Sequence, residues 1–334
     1  MSRLALQTID LAIAHLPPEL LSPAQAGGLR AAAHDLAPGQ QLYFEVRLAG
    51  EDRAIDVSQH FYAESGGAAA LLALAARGSS PAWRRIADFA RAWPRLPAIA
   101  EIGLEHDAGI ATPAVFAAFA TGMLADRAAG QAFVEAVAPD ALPGWRHALA
   151  ALETAEACGL TGGRMIGAML SRDGQLRAMV RGLSPAGLAG FLDAAGWPGD
   201  RAAMLGLLGT PALMHGATRL VLGFAPEMAA DWGIEVIHAR DAAGEAGRRA
   251  LLAWLVEAGL AEPGRVAALA AWTGAITPVD ARADWPDAMI LDDLRSGRRS
   301  RFAAFVSHVK INVEQGRARP AKAYLSLAPV PADA

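Results

Sequence analysis

The sequence has one cysteine, Cys158, in 334 residues. That excludes an internal disulfide framework and points to a reducing compartment. A charge surplus is also missing. The net charge is −4, so no surface built for a polyanion is expected, and no nucleic-acid motif occurs. Long apolar runs are absent as well. The most apolar stretches, residues 67–76 and 111–125, are short or broken by Gly, Thr and Pro, and none reads as a membrane span. The first stretch carries Asp10, His15 and Glu19 at helical spacing, so it reads as an amphipathic helix rather than a signal peptide. The expectation is a cytoplasmic protein with no membrane or nucleic-acid partner. Several catalytic signatures are lacking too. Asp292-Asp293-Leu294-Arg295 has no second aspartate of a DDxxD metal motif. His60, His106 and His308 lack the local spacing of a zinc site, and the Gly-rich residues 159–163 fit neither a Walker nor a Rossmann pattern.

What is present is apolar material in a repeating arrangement. Hydrophobic residues make up 53% of the chain, ample for a full core, and residues 1–334 are expected to form one domain. The plainest pattern lies in residues 307–327. His308, Lys310 and Asn312 alternate with Val309, Ile311 and Val313; then Lys322 and Tyr324 alternate with Ala323 and Leu325. Strand side chains point to opposite faces with period 2, so this hairpin has one apolar and one polar face. Taken alone, that is an amphipathic hairpin with its polar face in water.

The pattern recurs. Leu42, Phe44, Val46 and Leu48 alternate with Tyr43, Glu45 and Arg47; a turn at Ala49-Gly50-Glu51-Asp52 leads to Asp56, Ser58, His60 and Tyr62 on one face. In a second pair Glu101 and Glu105 share a face, while its return strand, residues 112–120, is apolar on both faces and could equally be helical. In a third, Asp173-Gly174 makes a hairpin turn and Gln175, Arg177, Met179 and Arg181 share a face. The fourth includes Glu235. A polar, basic stretch, residues 292–301, leads into the fifth. The first four pairs recur at about 60-residue spacing, with helical stretches between them. All three tyrosines, Tyr43, Tyr62 and Tyr324, fall on polar strand faces.

Ten strands in antiparallel pairs must bury their apolar faces against the intervening helices. If the sheet closes, the polar faces line a lumen. A TIM barrel is excluded, because it needs single strands alternating with helices around an apolar interior. An open α+β sheet with its polar face in solvent is the alternative. The order of elements and the strand residue types resemble the ABBA-type (PT-barrel) aromatic prenyltransferases. The expected fold class is therefore α+β: a closed ten-stranded antiparallel barrel from five αββα units, with a polar lumen and an outer ring of helices.

The resemblance implies transfer of an allylic prenyl group from a prenyl diphosphate to an aromatic or other nucleophilic acceptor, a small molecule or a peptide side chain. Lys322-Ala323-Tyr324, His308-Val309-Lys310 and Gln175-Leu176-Arg177 resemble the family's alternating cation-and-tyrosine strands. It implies a diphosphate site of Arg47, Arg177, Arg181, His308, Lys310, Asn312, Lys322 and Tyr324. Glu45 sits where the indole-prenylating branch has its acceptor glutamate, and Glu45 and Glu235 are the expected catalytic carboxylates. Tyr43, Tyr62, Glu101 and Glu105 are expected around the prenyl group and acceptor. The chemistry suits these residue types: a leaving diphosphate needs fixed cations, an allylic cation is shielded by aromatic faces, and a carboxylate accepts the acceptor's proton. The second pair offers no cation on its return strand and the first has Asp56 and Ser58, so the anion site is thinner than the family's, or assisted by Mg2+. No cofactor is otherwise required. Two other readings stay open: a non-catalytic barrel binding a peptide or metabolite, and a different enzyme of charged substrates on the same fold.

Overall fold

The computed structural model describes residues 3–37, 40–51, 54–172 and 174–331. Helices α1 (Arg3–His15) and α2 (Pro23–Ala32) precede strands β1 (Gln41–Arg47) and β2 (Asp56–Tyr62). Helices α3 (Gly67–Ala75) and α4 (Pro81–Ala92) lead to β3 (Ile99–His106) and β4 (Ala114–Phe119). Next come α5 (Arg127–Val137) and α6 (Leu142–Ala157), then β5 (Thr161–Met169) and β6 (Gln175–Arg181). The fourth unit is α7 (Pro185–Ala194), α8 (Arg201–Leu208), β7 (Ala217–Phe224) and β8 (Met228–Ile237). The fifth has α9 (Ala242–Glu257), α10 (Pro263–Leu269), a short β9 (Gly274–Ile276) and α11 (Asp287–Ser296). It ends in β10 (Ser300–Glu314), a two-residue β11 (Arg317–Ala318) and β12 (Lys322–Pro331).

Every strand pairing is antiparallel. Strands β1 to β8 are neighbours in order, β8 pairs with β10, β10 with β12, and β12 returns to β1. Ten strands therefore close on themselves, with β9 and β11 as short additions along β10. Closure removes every long free edge, and the open-sheet alternative falls. The apolar strand faces meet the helices in one surrounding layer of core. Phe44, Phe61 and Phe224 come from strands, and Phe89, Phe133, Trp145 and Phe191 from helices; all are almost fully buried.

Local chemistry explains how each helix is set on the sheet. In α4, the Ser80 side chain accepts a hydrogen bond from the Trp83 amide, and Pro81 occupies the first turn. Trp83, Ile86, Ala87 and Ala90 then recur at helical spacing and are buried, while Arg84, Asp88 and Arg91 face outward. Just beyond α4, Trp93 Nε1 donates to the Ile99 carbonyl at 2.8 Å, tying the helix to β3. Helix α7 repeats the capping arrangement with Ser184 and Pro185.

Residues 114–119 form the return strand of the second pair, β4, and the helical alternative falls, because both neighbours, β3 and β5, supply ladders for it. Two details differ from expectation. The polar lead-in at 292–301 is split: residues up to Ser296 complete α11, and β10 begins at Ser300. Strand β10 is also longer than its alternation suggested, with a register shift between Val306 and His308. Before the shift Phe302, Ala304 and Val306 face the core; after it Val309, Ile311 and Val313 do. Of the expected turn residues, Gly174 takes a left-handed φ of 72°, which suits glycine. Asp52 and Asp173 lie outside the described residues.

Candidate functional site

The inward strand positions line a lumen with two connected chambers. The first, about 310 Å3, opens toward the strand ends that join helices. Its polar lining includes Tyr43, Tyr62, Glu101, Glu235, His308 and Tyr324, and its apolar walls are Phe116, Met165, Met179, Val221 and Ile237. The second, about 530 Å3, opens toward the hairpin turns and is lined by Glu45, Arg47, Arg172, Asn312, Arg319 and Lys322, among others. Glu105, Arg177 and Lys310 line both. The residues expected for the diphosphate therefore gather mainly at the hairpin end, and those expected for the acceptor at the helix-joined end.

Strand closure creates the charge pairs in this lumen. Glu45 on β1 lies opposite Tyr324 on β12, and Arg47 lies opposite Lys322. Lys322 Nζ donates to Glu45 Oε1 at 2.5 Å, and Tyr324 Oη donates to Glu45 Oε2. Burial by itself would raise the Glu45 pKa. The Lys322 charge, with hydrogen bonds from Lys322 and Tyr324, outweighs it and holds the carboxyl at about 2. Lys310 Nζ stands 3.3 Å from Glu235 Oε1. Burial opposes ionisation there too, but the Lys310 charge keeps Glu235 below the ordinary carboxylate range. Arg47 Nη1 is 3.0 Å from Asp56 Oδ2 and donates to the Ala54 carbonyl. Asp56 is nonetheless raised to about 6, by burial first and then by Glu45.

Glu105 differs. Among the described residues it has no hydrogen-bond or ion-pair partner. Burial in the lumen, followed by the Glu45 charge, pushes its pKa up to about 7. Lys310 and Arg177 pull the other way and do not offset this. A carboxyl titrating near neutrality is suited to taking up a proton, whereas Glu45 and Glu235 are held ionised by their lysines. Sequence reasoning placed the catalytic role on Glu45 and Glu235; in the lumen both are paired with lysines, whereas Glu105 stands between the two chambers without such a pair among the described residues. Arg177 likewise has no hydrogen bond or ion pair among the described residues.

Tyr62 and Tyr324 act as hydrogen-bond donors, and Tyr43 accepts. Burial raises Tyr43 to about 12 and pushes Tyr62 and Tyr324 well above the ordinary phenol value, so all three keep their protons. Tyr62 Oη donates to Gln41 Oε1, and Gln41 Nε2 donates to Tyr43 Oη and Ser326 Oγ. His60 Nδ1 is hydrogen-bonded to Glu101 Oε1 and its ring lies 4.5 Å from that of Tyr43. His308 stacks on Tyr324 with ring centroids 4.0 Å apart. Burial lowers its pKa to about 4, so it enters the chamber as a neutral imidazole rather than as a cation for diphosphate.

One expected residue stands apart. Arg181 lies at the end of β6 and lines neither chamber; it borders a separate pocket with Arg219. Strand phase sets the face of a side chain, not its depth along the barrel. Sequence reasoning missed Arg219, although it alternates with Val221 on the inward face of β7. It also missed the wall formed by Phe116 and Met165. A further signal went unused: Lys310 and Lys322 are the only lysines in the chain. Among the described residues, no group of three or more His, Cys, Asp or Glu side chains is placed to hold a metal ion, and no helix is long and apolar enough to cross a membrane.

These features define a polar-lined PT barrel, the fold of the ABBA-type aromatic prenyltransferases. A solved 6-dimethylallyl tryptophan synthase shares it, with a TM-score of 0.50 over 98% of this chain and 97% of that one, at 13% identity. The 6-dimethylallyltryptophan synthase of Micromonospora olivasterospora, in complex with DMASPP and Trp, gives 0.48 at 14% identity over 86% of this chain and 84% of its own. AnaPT from Neosartorya fischeri gives 0.47 at 13% identity, covering 86% and 77%. At these identities the likeness establishes the fold alone. No protein-family model and no curated protein matches the sequence.

Proposed function

We propose that this protein transfers an allylic prenyl group from its diphosphate to an aromatic or other nucleophilic acceptor. The fold is shared with a protein named for dimethylallylating tryptophan. The observation that carries the reading is the junction of the two chambers. There a guanidinium, Arg177, and a carboxyl group, Glu105, each without an ion-pair partner among the described residues, line both spaces. Arg177 acts on the charge of Glu105 but forms no ion pair with it.

In this reading the diphosphate lies at the hairpin end, against Arg177, Lys310, Lys322 and Arg47. Arginine grips phosphate oxygens bidentately and lysine acts as a point charge. The carboxylates already bound to Lys310, Lys322 and Arg47 hold those cations in place before substrate arrives, so little reorganisation accompanies ionisation. The carbon–oxygen bond of the donor breaks, pyrophosphate keeps the electron pair, and the allylic cation meets the aromatic faces of Tyr324 and Tyr43. The acceptor, in the chamber walled by Phe116, Met165 and Met179, forms the new bond. Glu105 takes the proton that the acceptor loses.

The ion pairs favour one competing reading, a barrel that binds a charged peptide or metabolite without turnover. Incubation with dimethylallyl or geranyl diphosphate and a panel of aromatic amino acids and peptides separates the two. Prenyl transfer predicts a product heavier by one prenyl unit, together with released pyrophosphate. Reversible acceptor binding with no product from any pair supports the binding barrel.

A further inference from the structure

Two arginines meet at the helix-joined rim. Arg181 closes β6 and Arg219 lies near the start of β7, one step beyond the Val180–Leu220 pair of that ladder. They border a pocket of about 440 Å3 whose other walls include Leu183, Pro185, Leu188, Leu205 and Leu208. Arg181 Nε is buried without a hydrogen-bond partner. Neither guanidinium forms an ion pair among the described residues. The charges that act on Arg181 are Arg219 and Arg164, both cationic; burial first, then these two, pull its pKa down. Arg219 lies opposite Glu235 and its charge helps to keep that carboxyl ionised, but Glu235 forms its ion pair with Lys310, at 3.3 Å. Like charges held together at a partly desolvated site are unfavourable until an anion joins them.

The rest of the pocket narrows the chemistry of that anion. Thr218 is engaged, donating to the Leu213 carbonyl. The remaining surface is mainly apolar, so the ligand has a charged head on an apolar body. Arg219 lines both this pocket and the acceptor chamber.

We propose that this pocket holds the anionic end of the acceptor: a carboxylate on a short apolar stem, gripped by Arg181 and Arg219 while the reacting group lies in the chamber beyond. The inference rests on the reading of that chamber as the acceptor site. It moves Arg181 from the donor's diphosphate to the acceptor. The donor's phosphates belong at the opposite end, where Arg47, Lys322 and Asn312 lie.

The test is a calorimetric titration, without prenyl diphosphate, of 4-phenylbutyrate against 4-phenylbutyramide. Both carry an aromatic ring on a three-carbon stem and differ only in the charge of the head. The acid is expected to bind about tenfold more tightly than the amide, the scale of one charge-assisted contact. Arg181→Gln removes that preference, and Arg181→Lys keeps part of it. Equal affinity for acid and amide, binding of neither, or an undiminished preference in a folded Arg181→Gln overturns the proposal. The acid–amide comparison in the unaltered protein needs no variant, so it stays decisive where Arg181→Gln does not fold. Prenyl transfer with no carboxylate preference overturns this inference and leaves the transferase reading standing. A carboxylate preference without any transfer supports the pocket and counts against the transferase.

Discussion

Lys310 faces Lys322 directly across the β10–β12 ladder, and each ammonium has its own carboxylate. Lys322 is bound by Glu45 and Lys310 by Glu235. Two ammonium groups on opposed positions repel, and here each is held by a carboxylate on the strand flanking its own, Glu235 on β8 and Glu45 on β1. An anion between them is therefore not needed for the empty barrel to be stable. In the proposed reaction the diphosphate would meet cations that are already placed.

Stability should depend on this arrangement. Lys322→Ala leaves Glu45 buried with Tyr324 as its remaining close donor. The expected loss is roughly 2–3 kcal/mol, less than for a fully buried pair because Lys322 is partly exposed. Lys322→Arg should recover most of it. Urea unfolding measures both, and an unchanged midpoint for Lys322→Ala would contradict the pairing.

Glu45 also sets an acid limb. Its pKa in the folded protein, about 2, lies below the ordinary 4.5. A depressed carboxylate contributes stability that is complete above its unfolded value and is lost as pH falls through the folded one. Stability should therefore decline between about pH 4.5 and 2, and Glu45→Gln should flatten that decline. Thermal unfolding across this range, compared between the two proteins, checks the sign.

Glu105 predicts the opposite dependence. Its pKa is raised from 4.5 to about 7, so the folded protein holds a proton that the unfolded chain has released. Between these values stability falls as pH rises. Glu105→Gln should remove that fall, and the variant should gain stability relative to the parent as pH increases. In transfer assays the parent rate should rise with pH up to about 7 as the carboxylate forms, and Glu105→Gln should lose roughly 10²–10⁴-fold in rate. A variant with full activity and an unaltered pH profile would remove Glu105 from the chemistry.

The chamber proposed for the acceptor has a steric handle. A Cβ added at Gly167 would come within 2.4 Å of the Phe116 ring, so Gly167→Ala must push that side chain aside. Overpacking of this kind costs about 1–3 kcal/mol. If the ring swings into the lumen, turnover of larger acceptors should fall more than that of smaller ones. Relative kcat/KM across an acceptor size series reads this out, and a uniform change would place Phe116 outside the acceptor's path.

Much of this frame was legible in the chain itself. Alternation in residues 41–47 and 175–181 marked the inward side of each strand, because one face had to meet helices. Closure followed from polar faces that recur pair after pair. Depth along the barrel was not legible: Arg177 and Arg181 share a phase, yet only Arg177 reaches the chambers. Nor were the roles of the glutamates. Glu45 and Glu105 look alike in sequence, and what separates them is a lysine 277 residues away that closure brings to Glu45 alone. The shift in β10 was hidden for a related reason. Val306 and Val309 both face the core, and no period-2 pattern places an odd number of steps between two core positions.

The central claim is that the lumen is a prenyl-diphosphate site organised around Arg177. Calorimetric titration with dimethylallyl S-thiolodiphosphate, an analogue that resists ionisation, tests it most directly. The account predicts saturable one-to-one binding, weakened by roughly 1.5–3 kcal/mol in Arg177→Gln, the scale of a charged hydrogen bond, and no weaker in Glu105→Gln. Absence of binding to the parent protein, or equal affinity in Arg177→Gln, would contradict it.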